Sequence, residues 1–463
     1  MRKRLNLAPM LKPKSVAIIG ASRVPGKVGH VILQNYIQGG YSGRLYLVNR
    51  NADEILGIKS YKGILEIRKP IDLAVIAIPA EAVPAVLEEC GKAKVRTAVV
   101  VSGGFAEVGN TALQDELPKI AERYGMAVLG PNCLGVMDPR SRVDTLFLPT
   151  FKLSRPQIGG VSFVAQSGAV GSTILDLISA EGFGLSKFIS YGNAAHVDEV
   201  DILEYLMDDP ETKVIVMYLE GVKRGPEFID IARRITMKKP VIVLKAGRTS
   251  AGIAAAHSHT AALAGSYEAH EALFRQFGFT IANDIKELLY YAKIFYSEPE
   301  AKGNRVCIIT NGGGTGVLTA DAVSSSRLLK LGAFSRATEA ALKKTMPSIV
   351  NIRNPLDLAG DADQKRYRDA LSSIALDTGI DMIIAIALFQ TPGGDSTLAS
   401  ELISLKESIN KPLIVISIGS RFTEMHKIMM ESAGLPVYDS PSAAALSLSA
   451  LIGYSEYRKR PRP

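Results

Sequence analysis

Three times along this chain an apolar run leads into a turn of small residues and then into a segment with helical periodicity: VAIIGASRVPGKVGH from Val16, FVAQSGAVG from Phe163 and IITNGGGTG from Ile308. A short unbroken apolar run reads as a strand buried on both faces. Such strands alternating with helices require a parallel sheet covered on both sides. Further runs, LAVIAIPA, TAVVVSGG, KVIVMYLEG, PVIVLKAG, DMIIAIALF and PLIVISIG, continue the pattern. The expected fold is therefore α/β: a Rossmann-like domain over residues 1–150 and two flavodoxin-like domains over 151–300 and 301–463. Residues 161–171 can be laid over 306–316 without a gap. Shared ancestry would explain that match, and so would the common look of any buried strand leading into a glycine turn.

With 47% apolar and 22% charged residues the chain has the balance of a folded globular protein. Its net charge of +8 is dispersed, which speaks against nucleic acid and fits anionic nucleotides or plain surface solubility equally well. Cys90, Cys133 and Cys307 form no CxxC pair, and no metal site is expected. The basic N-terminus lacks the apolar core of a signal peptide, and no apolar run reaches the ~18 residues of a membrane span. A cytoplasmic protein that does not engage a membrane is expected.

The first turn, Gly20 to Gly29 with Ser22, Arg23, Gly26 and Lys27 inside it, follows a strand and opens a helix, a place where backbone amides and cations favour a phosphate. It lacks the GxGxxG spacing, and the next strand ends Val48-Asn49-Arg50 with no acid, so NAD is disfavoured. A glycine turn that serves only close strand–helix packing is the alternative. Ser167, Gly168 and Ala169 open the second helix, and Gly312, Gly313, Gly314, Thr315 and Gly316 the third, each with the same potential for an oxyanion or phosphoryl group. Between Lys245 and Gly265 the chain is filled with small residues around His257 and His259. A neutral histidine whose second ring nitrogen is held by a carboxylate can accept a phosphoryl group; a solvent-exposed or capping histidine is the plainer reading. His-x-His supplies only two zinc ligands. Glu220, at the end of VIVMYLE, is the candidate carboxylate on the sheet edge where ligands of open α/β folds sit.

The segments PKSVAIIGAS, VIAIPAEAVPAVLEEC, GPNCLGV, FVAQSGAVG, SYGN, DILEYL, YLEGVK, LKAGRT and SHTAALAG, in this order, resemble the alpha subunits of archaeal ADP-forming acetyl-CoA synthetases and, more distantly, the succinyl-CoA synthetase alpha subunit. The ITNGGGTG turn and NPLDLAG are similar to the extra domain that the ADP-forming enzymes carry. The resemblance implies an acid–thiol ligase in which phosphate attacks an acyl-CoA, typically acetyl-CoA. The acyl phosphate then passes its phosphoryl group to His259, and the phosphohistidine donates it to ADP. It makes Glu220 the partner of the histidine, Ser167, Gly168 and Ala169 the phosphate-binding helix start near the thioester, and residues 312–316 its counterpart at the nucleotide end. Coenzyme A is expected on Gly20, Ser22, Arg23, Gly26, Lys27, Asn49, Pro79, Ser102, Gly103 and Asn132. The chain departs from the pattern at Ala261, His257 and His196, the last leaving open altered acyl or subunit contacts. No ATP-grasp domain is found before the basic tail. ADP or ATP with Mg is thus expected on a separate ATP-grasp beta subunit in an α2β2 assembly. A succinate-type ligase and a non-catalytic CoA-binding regulatory protein are the competing readings.

Overall fold

The computed structural model describes residues 4–181, 183–252 and 266–460. The chain forms two compact units, Met1–Ala180 with Gly184–Ile285, and Glu181–Phe183 with Lys286–Pro463.

The first unit holds two sheets. One contains β1 (Ser15–Ile19), β2 (Arg44–Val48), β3 (Glu54–Ile55), β4 (Ile58–Tyr61), β5 (Leu73–Ile76), β6 (Thr97–Val100) and β7 (Ala127–Leu129) in the order β3-β4-β2-β1-β5-β6-β7. All neighbours are parallel except the β3–β4 pair. Every residue of β1, β5 and β6 is buried, which is why these strands read as unbroken apolar runs. Strand addition changes direction between β1 and β5, so a crevice opens at their carboxyl ends. The other sheet contains β8 (Gly135–Asp138), β9 (Val143–Asp144), β10 (Ile158–Ala165), β11 (Leu185–Ser190), β12 (Val214–Leu219), β13 (Val241–Lys245) and β14 (Thr280–Ile281) in the order β14-β13-β12-β10-β11-β8-β9, with its switch between β10 and β12. Its antiparallel edge, β8 on β11 and β9 on β8, is recruited from ahead of residue 150.

A single apolar cluster joins Ile18, Val75 and Leu129 of the first sheet to Val164, Ile189 and Met217 of the second. Beneath the antiparallel edge lies a buried ion cluster. The Lys187 ammonium on β11 stands 3.2 Å from Asp138, 3.3 Å from Asp209 and 2.6 Å from Glu211. Burial alone would weaken that ammonium as a base, but the bond to Glu211 and the charges of Asp138 and Asp209 outweigh it and hold its pKa above the ordinary lysine value.

The second unit is built on six parallel strands, β15 (Arg305–Thr310), β16 (Lys330–Leu331), β17 (Leu356–Asp357), β18 (Met382–Ile386), β19 (Leu413–Ile416) and β20 (Val437–Tyr438), ordered β16-β15-β18-β19-β20 with β17 paired to β15. Among the described residues no helix is long and apolar enough to cross a membrane.

Candidate functional site

At the switch point of the first sheet a cavity of about 490 Å³ is lined by Gly20, Ser22, Lys27, Asn49, Pro79, Ser102 and Gly103. The turn that shapes it is dictated by close packing. Gly20 has φ +90°, and a Cβ there would lie 2.2 Å from the Ala77 carbonyl oxygen; one on Gly29 would lie 2.0 Å from the Gly20 carbonyl oxygen. Both positions exclude a side chain, so the packing account of the turn holds for them irrespective of any ligand. Polar side chains then clamp the rim. Asn49 Nδ2 donates to the Ala21 carbonyl at 2.6 Å, and Ser102 Oγ donates to the Ile78 carbonyl at 2.6 Å. Lys27 is exposed at the start of helix Val28–Gln38. A cation beside a helix start favours a diphosphate. Arg23 and Gly26, also expected here, are exposed and lie outside the lining.

A second cavity, of about 350 Å³, shares Val101 and Phe147 with the first. Phe147 is fixed because the buried Asn35 donates to the carbonyls on either side of it, Leu146 at 2.7 Å and Leu148 at 3.1 Å. The rest of the lining includes Asn132 and Cys133 from the loop after β7 and Ser167, Gly168 and Ala169 from the turn after β10. Asn193 and Glu220 follow the ends of β11 and β12. Helix Gly168–Ala180 starts in this wall. Ser167 accepts from the Val170 and Gly171 amides at 3.4 and 2.9 Å, and the first amides of a helix have no acceptor within it.

Glu220 is buried, and its backbone is held from both sides. Its own amide and that of Gly221 donate to Gln166 Oε1 at 2.8 and 3.1 Å, and its carbonyl accepts from Lys245 Nζ at 2.7 Å. Burial lowers the pKa of that lysine, with the Glu220 charge opposing. Burial and the same carboxylate push the Tyr218 phenol up to about 12. Thus Glu220 and the Ser167 turn, expected separately from the sequence, face one cavity, and Asn132 joins them there instead of the first cavity. His257 and His259 lie outside the described residues.

In the second unit, Gly312 caps helix Gly313–Ser325, and its amide donates to Thr310 Oγ1 at 2.9 Å. A Cβ on Gly313 would lie 2.7 Å from Asp357 Oδ2. The third helix start therefore already has an acidic neighbour, against which an incoming phosphoryl group would have to compete.

Sequence reasoning missed the residues that hold this architecture together. Gln166 sits inside the recognised turn, and its place beside Ser167 was the available signal; Asn35 and Phe147 gave none. His196 is buried and accepts from the Val128 amide at 3.2 Å, so it braces the interior of the unit. Next to the site, Glu199 is buried and accepts from the Lys223 amide at 3.1 Å. Burial first, and the Asp198 charge second, push its carboxyl from the ordinary 4.5 up to about 7. A raised folded-state pKa favours folding fully below 4.5, and that contribution is lost as pH rises through 7. Glu199→Gln, which imitates the protonated acid, is therefore expected to exceed the wild type in stability by about 3 kcal/mol at pH 8 and to match it below pH 5. Thermal melts at the two pH values check this; an equal difference at both would assign the effect to something other than this carboxyl.

A model for a CoA binding domain matches residues 14–139, and one for a succinyl-CoA ligase like flavodoxin domain matches residues 158–295. The Acetate--CoA ligase [ADP-forming] II subunit alpha of Pyrococcus furiosus is 38% identical over 95% of this chain and 96% of its own length. The chain belongs to this ligase family. A second member, the Acetate--CoA ligase [ADP-forming] of Methanocaldococcus jannaschii, is 41% identical over 96% of this chain, which spans only 62% of that longer protein. The dinucleotide forming acetyl-coenzyme A synthetase 1 of Ca. Korarchaeum cryptofilum, solved in complex with phosphate and ADP, superimposes with a TM-score of 0.92 at 34% identity. The match covers 98% of this chain and 97% of that one. Family members thus occur both as separate alpha subunits and as longer chains.

Proposed function

We propose that this chain is the CoA-binding, phosphoryl-relaying alpha subunit of an NDP-forming acyl-CoA synthetase, with acetyl-CoA as the default substrate. The observation that carries the reading is the pair of cavities with a common wall: one has the chemistry of a diphosphate cradle, and the other combines a helix start with a buried carboxylate. A protein that only bound coenzyme A would need only the first.

On this reading the pantetheine thioester reaches past Val101 and Phe147 into the second cavity. Phosphate oxygen attacks the acyl carbon, the C–S bond breaks, and the CoA thiolate leaves to be protonated. The first amides of helix Gly168–Ala180, with Ser167, stabilise the charge that gathers on phosphate oxygens. The acyl phosphate gives its phosphoryl group to His259 and leaves as the free carboxylate. Glu220 accepts the other ring N–H and so holds the attacking nitrogen unprotonated. The phosphohistidine then transfers the group to ADP, which Mg accompanies, near Gly312, Gly313, Gly314, Thr315 and Gly316. The nucleotide itself is held by an ATP-grasp beta subunit in an α2β2 enzyme of the cytoplasm. Residues 1–150, 151–300 and 301–463 divide this work as CoA-binding, histidine-bearing and nucleotide-facing parts.

The test is ATP formation from acetyl-CoA, ADP and phosphate by this chain alone, by the beta subunit alone and by the two mixed. Activity in the mixture only is expected. Activity of this chain alone would overturn the division between subunits, and a mixture inactive with every acyl-CoA tried, succinyl-CoA included, would return it to the non-catalytic CoA-binding reading.

A further inference from the structure

Glu107 lines neither cavity, yet it connects the two sheets beside them. Its Oε1 accepts from the amides of Gly104 at 2.6 Å and Phe105 at 3.2 Å, in the loop after β6. Its Oε2 accepts from Asn193 Nδ2 at 2.5 Å, across on the loop after β11. Asn193 Nδ2 gives its other hydrogen to Gln114 Oε1 at 2.9 Å, and its Oδ1 accepts from Asn132 Nδ2 at 3.2 Å. Both donors and the acceptor of the Asn193 amide are thus committed. The backbone of the same loop is fixed independently, because Lys223 Nζ donates to the Asn193 and Ala194 carbonyls at 2.7 and 3.0 Å. Burial raises the Glu107 carboxyl, but the bonds from Asn193 and from the Gly104 and Phe105 amides outweigh it and keep the group below its ordinary pKa.

An ionised carboxylate only accepts, whereas an amide can turn either end to its neighbour. Glu107 therefore imposes one direction on the row: Asn193 must turn its NH₂ to Glu107 and its oxygen to Asn132, and Asn132 must turn its NH₂ to Asn193. We propose that Glu107 is a positioning residue for acyl transfer, setting through Asn193 which end of the Asn132 amide is presented to the acyl group and phosphate in the second cavity. The proposal rests on the synthetase reading above and assigns Glu107 no contact with substrate.

The polarity of the row can be reversed and restored by substitution, which bulk packing cannot imitate. Glu107→Gln keeps the shape but permits the row to reverse. Asn193→Asp sets two carboxylates face to face. In the double variant the amide introduced by Glu107→Gln can accept from the Gly104 amide and donate to the carboxylate introduced by Asn193→Asp. That carboxylate still accepts from Asn132, so the original direction returns. In the complex with the beta subunit, phosphorylation of this chain from acetyl-CoA and phosphate is expected to fall by about tenfold to a hundredfold in Glu107→Gln. It should fall further in Asn193→Asp and recover most of the loss in the double variant. Phosphorylation from ATP, which bypasses acyl transfer, is expected to stay at the wild-type rate in Glu107→Gln. Equal loss from both donors, an unchanged Glu107→Gln, or a double variant no better than the weaker single one would overturn the proposal. A wild-type complex that takes label from neither donor would overturn the synthetase reading instead.

Discussion

His259→Ala is expected to reduce phosphorylation of this chain to background, while His257→Ala retains it. The assay incubates the chain with the proposed beta subunit, labelled ATP and Mg, and measures label that is lost in acid and stable in base, as a phosphohistidine P–N bond is. On the proposed reading the partner of the histidine is Glu220, at the edge of the second sheet. A buried carboxylate, Glu220, stands there with its backbone locked by Gln166 and Lys245, facing the same cavity as a helix start. One side chain that carries the covalent bond cannot be replaced by its neighbours, so the loss should be close to complete and not graded. Label surviving in His259→Ala would move the carrier to His257 or elsewhere. Label absent from the wild type as well would favour a CoA-binding protein without catalysis.

The largest expected effect on stability belongs to Lys187→Met. That substitution leaves the carboxylates of Asp138 and Asp209 buried without the cation between them. Removing one partner of a buried ion cluster costs about 3–5 kcal/mol, a large share of the roughly 5–15 kcal/mol that holds a typical domain folded. Denaturant titration of the chain should show the midpoint falling accordingly. Adding Asp138→Asn and Asp209→Asn to Lys187→Met should recover most of the loss, because what destabilises is the unpaired charge, more than the missing side chain. A Lys187→Met midpoint within error of the wild type would mean that water or movement relieves those carboxylates.

The strands that begin each α/β segment were legible because burial on both faces leaves apolar runs, unbroken in β1 and β15 and interrupted only by the buried Ser162 in β10. The same logic made the strand-end residues Gly20, Ser167 and Glu220 readable, since the carboxyl edge of a parallel sheet follows from the strand assignment alone. The antiparallel pair β8 and β9 was not legible: GVMD and VD are too short to carry a period, and their place is set by pairing with β11. Asn35 beneath Phe147, which acts across elements, also escaped notice. Asn35 and its partner Leu146 lie 111 positions apart, a distance over which local pattern carries no information. The common core of the first two sheets is of the same kind, since Ile18 and Val164 give no sign in sequence that they belong to one cluster.

The wall formed by Val101 and Phe147, with Asn35 gripping the chain on both sides of the ring, gives the first unit a fixed internal measure. On the proposed reading, the length of the pantetheine arm acts as a ruler between the two cavities. A thiol is then selected by the handle at its far end as much as by its own reactivity. Truncated thioesters would enter the second cavity with nothing to register them, and the chain would discriminate against them by reach alone.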